Sequence, residues 1–297
     1  MTALSEIQIR DPFILPDPAS GLYRLYGTAG FGGPDESPQG FVVRRSRDLK
    51  HWSEPRTVLP RTAGPAEADH YWAPEVHFYR GRWYLFATFG HGVSLLKPRA
   101  RYTSIYSAES PDGPFVLHSQ GPATPLGWIC IDGTLHVDLA GHPWLVFCRE
   151  WVQTRNGEIH ALPLSDDLRR PAGEARLLFR ASEAAWSHAQ NTELGEGYRV
   201  TDGPWLHRTG SGALLLLWST FGPGGYVTGV AHSTSGEIGG PWVQAPAPLF
   251  ARDGGHPMIC RAHDGRMLLV LHSPNRPKQE RARLLVIKET ADGLALA

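Results

Sequence analysis

Apolar and polar positions alternate over short runs along nearly the whole chain, and helical periodicity is almost absent. Glycine (33) and proline (25) punctuate the 297 residues, and β-branched or aromatic runs lie between them. This pattern predicts strands joined by tight turns. The runs fall into rounds. Residues 22–27 and 41–43 belong to the first, and residues 71–76, 83–87 and 102–106 to the second. Residues 131–137, 144–148 and 159–164 make the third, residues 202–207, 214–218 and 227–232 the fourth, and residues 255–259, 267–271 and 283–287 the fifth. Each round reads strand, tight turn, strand, loop, strand, Asp/Gly/Pro-rich turn and last strand. Anchors at positions 11, 73, 132, 202 and 256 are 54 to 70 residues apart. Four strands per unit is the signature of a propeller blade. The expectation is an all-β, five-bladed β-propeller forming a single domain over residues 1–297, with no linker. A β-sandwich gives no reason for five matched hairpins.

In such a ring the innermost strands start around one end of the central channel. Asp11, the segment Ala73-Pro74-Glu75, Asp132, Asp202 and His256 occupy those starts and should converge on one pocket. The first hairpin of each blade returns the chain to the same face, so Glu150 and Trp151 should look into it too. An Asp at the mouth of a buried strand is costly unless it is paired, hydrogen-bonded or working. Asp-Pro and Asp-Gly are also ordinary turn pairs. Three of them at matched blade positions point to a shared site. Carboxylates around an aromatic-lined pocket suit glycoside hydrolysis, in which one carboxyl protonates the leaving oxygen and another activates water or attacks carbon.

Charge narrows the partner. The 29 basic and 29 acidic residues cancel, and no basic stripe points to nucleic acid or an anionic membrane. A neutral carbohydrate fits better. The chain has 10 Trp, most of them expected to fill the core and a few to serve as platforms for a sugar ring. Trp72, preceded by Asp69 and His70, is the leading wall; the substrate-binding candidates are Trp72, His70, Glu75, Phe13 and Trp151. Trp128 and Trp205 are weaker candidates, and Arg276 is a candidate for the rim. Cys130, Cys148 and Cys260 lack CxxC spacing, which predicts free buried thiols. No apolar run approaches the ~18 residues of a membrane span. Residues 1–10 lack a basic region followed by an apolar one, which predicts a cytoplasmic location.

The motifs together carry a resemblance. Arg10-Asp11-Pro12-Phe13, Trp72-Ala73-Pro74-Glu75-Val76, Ile131-Asp132-Gly133-Thr134, Thr201-Asp202-Gly203-Pro204 and Gly254-Gly255-His256, in this order, resemble glycoside hydrolase family 43 nearly end to end. The resemblance implies a five-bladed propeller, inversion at the anomeric carbon, and exo or endo action on arabinofuranosides or xylosides. It implies that Asp11 is the general base and that Asp132 tunes and orients the acid. Inversion sets the base and acid carboxyls ~6.5–9.5 Å apart. The family's acid is a Glu at the start of the fourth blade, often in Glu-Gly-Pro. This chain has Asp202 there, one methylene shorter. Asp202 is therefore the first candidate for the acid and Glu150 the second, with Glu193 and Glu196 in the loop before the fourth blade also open. The family's histidine at the last blade often faces a central ion, which implies Ca²⁺ or another cation near His256. Calcium prefers oxygen, so water would complete its shell. The alternative is a His256 hydrogen-bonded to substrate or to a carboxylate. No organic cofactor is expected, and nothing in the chain speaks to oligomeric state. The leading reading is an exo-acting α-L-arabinofuranosidase on oligosaccharides. A β-xylosidase, a β-galactofuranosidase and a catalytically silent sugar-binding propeller stay open beside it.

Overall fold

The computed structural model describes residues 1–29, 39–92, 94–291 and 293–297. Five antiparallel sheets of four strands form a five-bladed propeller. Blade I is Arg10–Asp17, Leu22–Thr28, Phe41–Ser46 and Arg56–Leu59; blade II is His70–Tyr79, Arg82–His91, Ala100–Ala108 and Val116–Leu117. Blade III is Cys130–Val137, Pro143–Arg149, Glu158–Pro163 and Arg176–Arg180. Blade IV is Asp202–Arg208, Leu214–Gly222, Gly225–Ser233 and Trp242–Gln244, and blade V is Gly255–Arg261, Met267–Ser273, Arg281–Thr290 and Gly293–Leu296. Each sheet is consecutive in sequence, so no blade combines strands from the two ends of the chain. Ring closure rests on contacts. The backbone N–H of Ile9 donates to the Glu280 carbonyl at 3.1 Å, Arg281 Nε to the Ser5 carbonyl at 3.1 Å, and Gln8 bridges Arg281.

The second strand of each blade is sandwiched between two neighbouring blades, so both of its faces are apolar. Leu214-Leu215-Leu216-Leu217-Trp218 is buried throughout, and Phe86, Phe147 and Leu269 hold the same layer elsewhere. Each such side chain contributes roughly 1.5–3 kcal/mol by burial. The three thiols are free and buried, as the spacing predicts. Among the described residues no helix is long and apolar enough to cross a membrane.

One irregularity recurs in all five innermost strands. The first hairpins pair Arg10 with Thr28, Trp72 with Thr88, Ile131 with Cys148, Asp202 with Ser219 and Gly255 with His272. The register then skips two residues in each blade: Asp11-Pro12, Ala73-Pro74, Asp132-Gly133, Gly203-Pro204 and His256-Pro257. The first residue of each bulge is left-handed, with φ of 52°, 46°, 57°, 53° and 55° in blade order. Four of these five are not glycine, and each costs on the order of 1–2 kcal/mol. A bulge bends the strand and re-aims the side chain that follows the last ladder bond. Here it turns Asp11, Asp132 and His256 toward the axis.

This geometry corrects the register expected for blade IV. The matched position is Gly203, and Asp202 stands one residue ahead of it, in the row occupied by Arg10, Trp72 and Ile131. Gly203 has no room for a side chain, because a Cβ there would lie 2.8 Å from His256 Cα.

Candidate active site

A cavity of about 250 Å³ opens at the bulged end of the channel, with lining from all five blades. Asp11, Asp132, Asp202, Glu150 and His256 meet there, with Trp72 and Trp151 as walls. Arg10, Arg101, Phe221, Tyr226 and Asn275 complete its polar and aromatic surface, and Leu95 and Leu96 close one side.

Three expected binding residues are elsewhere. Phe13 follows the bulge and turns down the channel, packing edge-on against Trp205 at 5.8 Å. Glu75, two residues past Ala73, points the same way, and its Oε2 lies 2.9 Å from His77 Nε2. His70 stacks on Trp72 at 4.8 Å without lining the cavity, so it braces the wall. Glu193 and Glu196 are exposed on a separate hairpin, and Arg276 is exposed. Trp128 lies under the Arg149 guanidinium, 4.1 Å from its ring centre, away from the cavity.

A girdle of hydrogen bonds ties each bulge to the preceding blade. The Ala73 N–H donates to Thr28 Oγ1, the Asp132 N–H to Thr88 Oγ1, and the His256 N–H to Ser219 Oγ, each at 2.8 Å. The Asp11 N–H donates to His272 Nδ1 at 3.3 Å. The corresponding partner for Gly203 is Cys148, a weak acceptor. The Gly203 N–H donates instead to Asp132 Oδ2 at 2.9 Å, which fixes that carboxyl.

The carboxyl groups are differentiated by their surroundings. Burial alone would raise Asp11, but His256 and Arg10 outweigh it and hold Asp11 below the usual carboxylate range. His256 Nδ1 lies 3.2 Å from Asp11 Oδ1, Arg10 Nε lies 3.6 Å from it, and Thr28 Oγ1 donates to Asp11 Oδ2 at 2.9 Å. Asp132 is pushed well above its usual range by burial and by the charge on Asp11. Asp202 is pushed up to about 7 by burial and by Asp132, partly offset by a 2.7 Å hydrogen bond from Tyr226 Oη to Oδ2. The Asp132–Asp202 pair therefore retains a proton at neutral pH while Asp11 is ionised. Burial and the charge of Arg10 hold His272 down to about 3. It is neutral, with Nδ1 accepting from the Asp11 N–H and Nε2 facing Asn275 Oδ1 at 3.2 Å.

Glu150 has a different tie. Burial raises its carboxyl and Arg101 opposes the rise. The Arg101 guanidinium pairs with Glu150 directly, lies 4.8 Å from the Trp72 ring centre, and donates from Nη2 to the Leu95 carbonyl at 2.7 Å. A carboxylate held in this way braces one wall and is poorly placed to give up a proton.

His256 Nδ1 is turned to Asp11 and, at 3.6 Å, to Asp132 Oδ2. Among the described residues no group of three or more His, Cys, Asp or Glu side chains has metal-holding geometry.

Sequence reasoning missed Tyr226, Arg101, His272 and Asn275. It missed Arg10 as well, although Arg10 stands next to Asp11. The others come from strand ends and loops of other blades, where no spacing rule marks them.

Comparison with known proteins gives the family. Residues 4–293 match the model of glycosyl hydrolases family 43. The endo-arabinase of Bacteroides thetaiotaomicron VPI-5482 superposes with a TM-score of 0.86 and 37% identity over 99% of both chains. The extracellular endo-alpha-(1->5)-L-arabinanase 1 of Bacillus subtilis is 28% identical over 152 residues, 48% of this chain and 44% of that protein. The extracellular exo-alpha-(1->5)-L-arabinofuranosidase of Streptomyces avermitilis is 24% identical over 285 residues, 85% of this chain and 55% of that protein. The chain thus spans about half the length of these two curated relatives. With the family model matched nearly end to end on a five-bladed propeller, the chain belongs to glycoside hydrolase family 43.

Proposed function

We propose that the protein hydrolyses α-L-arabinofuranosyl linkages by single displacement with inversion, acting from the chain end on oligosaccharides. The observation that carries the reaction is the split among the clustered carboxyls: Asp11 is held below its usual range beside His256 and Arg10, and Asp202 is pushed up to about 7. Asp11 takes a proton from water as the water attacks the anomeric carbon. Asp202 gives its proton to the departing glycosidic oxygen. Asp132 orients the acid and raises its affinity for the proton. Trp72, backed by His70 and Arg101, offers a flat face to the sugar ring. His256 serves the carboxylates and no step requires a metal.

The sugar assignment is supported by the 37% identity to an endo-arabinase and by arabinan-active names among the curated relatives. The small volume of the cavity, about 250 Å³ with lining from all five blades, favours a terminal residue over an internal one. Endo action is the second reading, favoured by the same 37% relative. Product analysis on linear α-1,5-arabinan separates them. Arabinose as the sole early product, with proton NMR showing the inverted anomer first, supports the proposal. A ladder of oligosaccharides with rapid viscosity loss overturns exo action, and activity confined to xylosides overturns the sugar assignment.

A further inference from the structure

The shorter acid raises a geometric question: what holds an aspartate where the resemblance places a glutamate. Tyr226 sits near the start of the third strand of blade IV, and its ring is clamped on several sides. It stacks on His272 at 5.7 Å with 16° between planes and packs on Phe221 at 5.5 Å. Its backbone N–H donates to Asp253 Oδ1 at 3.2 Å. The space it fills exists because residue 255 is glycine; a Cβ there would lie 2.3 Å from the tyrosine ring. Burial and the nearby Asp202 raise the phenol well above its usual range, so it keeps its hydrogen at any working pH. That single hydrogen is committed to Asp202 Oδ2 at 2.7 Å.

We propose that Tyr226 is a positioning residue for the general acid: it locks the Asp202 carboxyl and leaves Oδ1 as the oxygen that carries the catalytic proton. This rests on the assignment of Asp202 as acid. As Oδ1–H transfers its proton to the leaving oxygen, the glycosidic C–O bond breaks and negative charge develops on the carboxylate. The hydrogen bond from Tyr226 becomes charge-assisted and strengthens as the charge grows. It therefore stabilises the transition state more than the ground state, and it opposes the rise that burial imposes on Asp202.

The test compares Tyr226→Phe with Asp202→Asn on 4-nitrophenyl α-L-arabinofuranoside and on α-1,5-arabinobiose, over pH 4–9. The phenylalanine keeps the ring and its stacking, and a thermal melt checks the fold. For Tyr226→Phe we expect kcat on arabinobiose to fall about ten- to hundredfold with KM nearly unchanged. The loss should be smaller on the nitrophenyl substrate, whose leaving group needs less protonation. The alkaline limb of kcat/KM should move to higher pH, because the charged form of Asp202 has lost its donor. An unmoved limb, with Asp202→Asn still hurting arabinobiose more than the nitrophenyl substrate, reduces Tyr226 to packing and overturns the proposal alone. Equal losses on both substrates in Asp202→Asn overturn the acid assignment beneath it.

Discussion

Asp202 holds its proton to higher pH because it is half-buried beside Asp132, and that has a cost for the fold. Its ordinary value is 3.8, and in the folded chain it sits at about 7. Between those values the folded state holds a proton that the unfolded chain releases. Stability tied to this group is fully present below the ordinary value and is lost as pH rises through the folded one. The loss has an upper limit on the order of 4 kcal/mol. Asp202→Asn, neutral throughout, should therefore melt several degrees higher than the parent at pH 8 and little differently at pH 4; calorimetry at the two pH values checks this. A melting gain equal at both pH values would show that Asp202 is not carrying the proton. His256 belongs to the same cluster, and its turn toward Asp11 predicts that exhaustive chelation leaves arabinofuranoside hydrolysis unchanged. Loss on chelation with recovery on adding Ca²⁺ would support the cation near His256 that the family resemblance implies. Much of this site was legible as residue types: each of the three Asp and His256 stood next to a Pro or Gly that marked a special backbone. What was not legible is the pairing. Nothing in the sequence assigns Glu150 to Arg101, 49 residues away, or Tyr226 to Asp202, because those contacts join loops and strand ends of different hairpins.

The bulge explains why Phe13 and Glu75 were misjudged. Both lie two residues beyond the left-handed position, and the strand has already turned them down the channel. The dipeptides Asp-Pro, Ala-Pro, Asp-Gly, Gly-Pro and His-Pro carried the true register. Aligning on the second residue of each, at 12, 74, 133, 204 and 257, would have placed Gly203 rather than Asp202 in the matched row. At this scale the informative gap is Cys148. Thr28, Thr88, Ser219 and His272 each accept the bulge N–H of the next blade, and the thiol leaves that of Gly203 to Asp132. Cys148→Ser would offer a better acceptor and compete for it. We expect Asp132 to lose a stabilising donor to its charged form, the alkaline limb of kcat/KM to shift, and kcat to fall by about tenfold, with the melting temperature nearly unchanged. An unaltered pH profile would show that the Gly203 N–H stays with Asp132 whatever occupies position 148.

The ring was legible because the blade repeat is written in hairpins and turns, which are local. Its closure was not, since it depends on which residues at the two ends of the chain meet. Each blade is its own consecutive sheet, so the junction of blades I and V holds by packing and by a few polar links: Ile9 to Glu280, Gln8 to Glu280 Oε2 at 3.2 Å, and His263 N–H to Tyr23 Oη at 2.7 Å. Asp11 lies on one side of that seam. His256 and His272, which set its charge and hold its backbone, lie on the other. Hydrolysis thus reports on the clasp of the ring. On slow heating, the rate should fall, and recover on cooling, at temperatures where far-ultraviolet circular dichroism still shows full strand content. Coincident loss of both would mean that the seam opens only when the whole propeller melts. Under the role proposed for Asp11, a base shared across the ring's own join is lost when the clasp loosens and regained when the clasp closes.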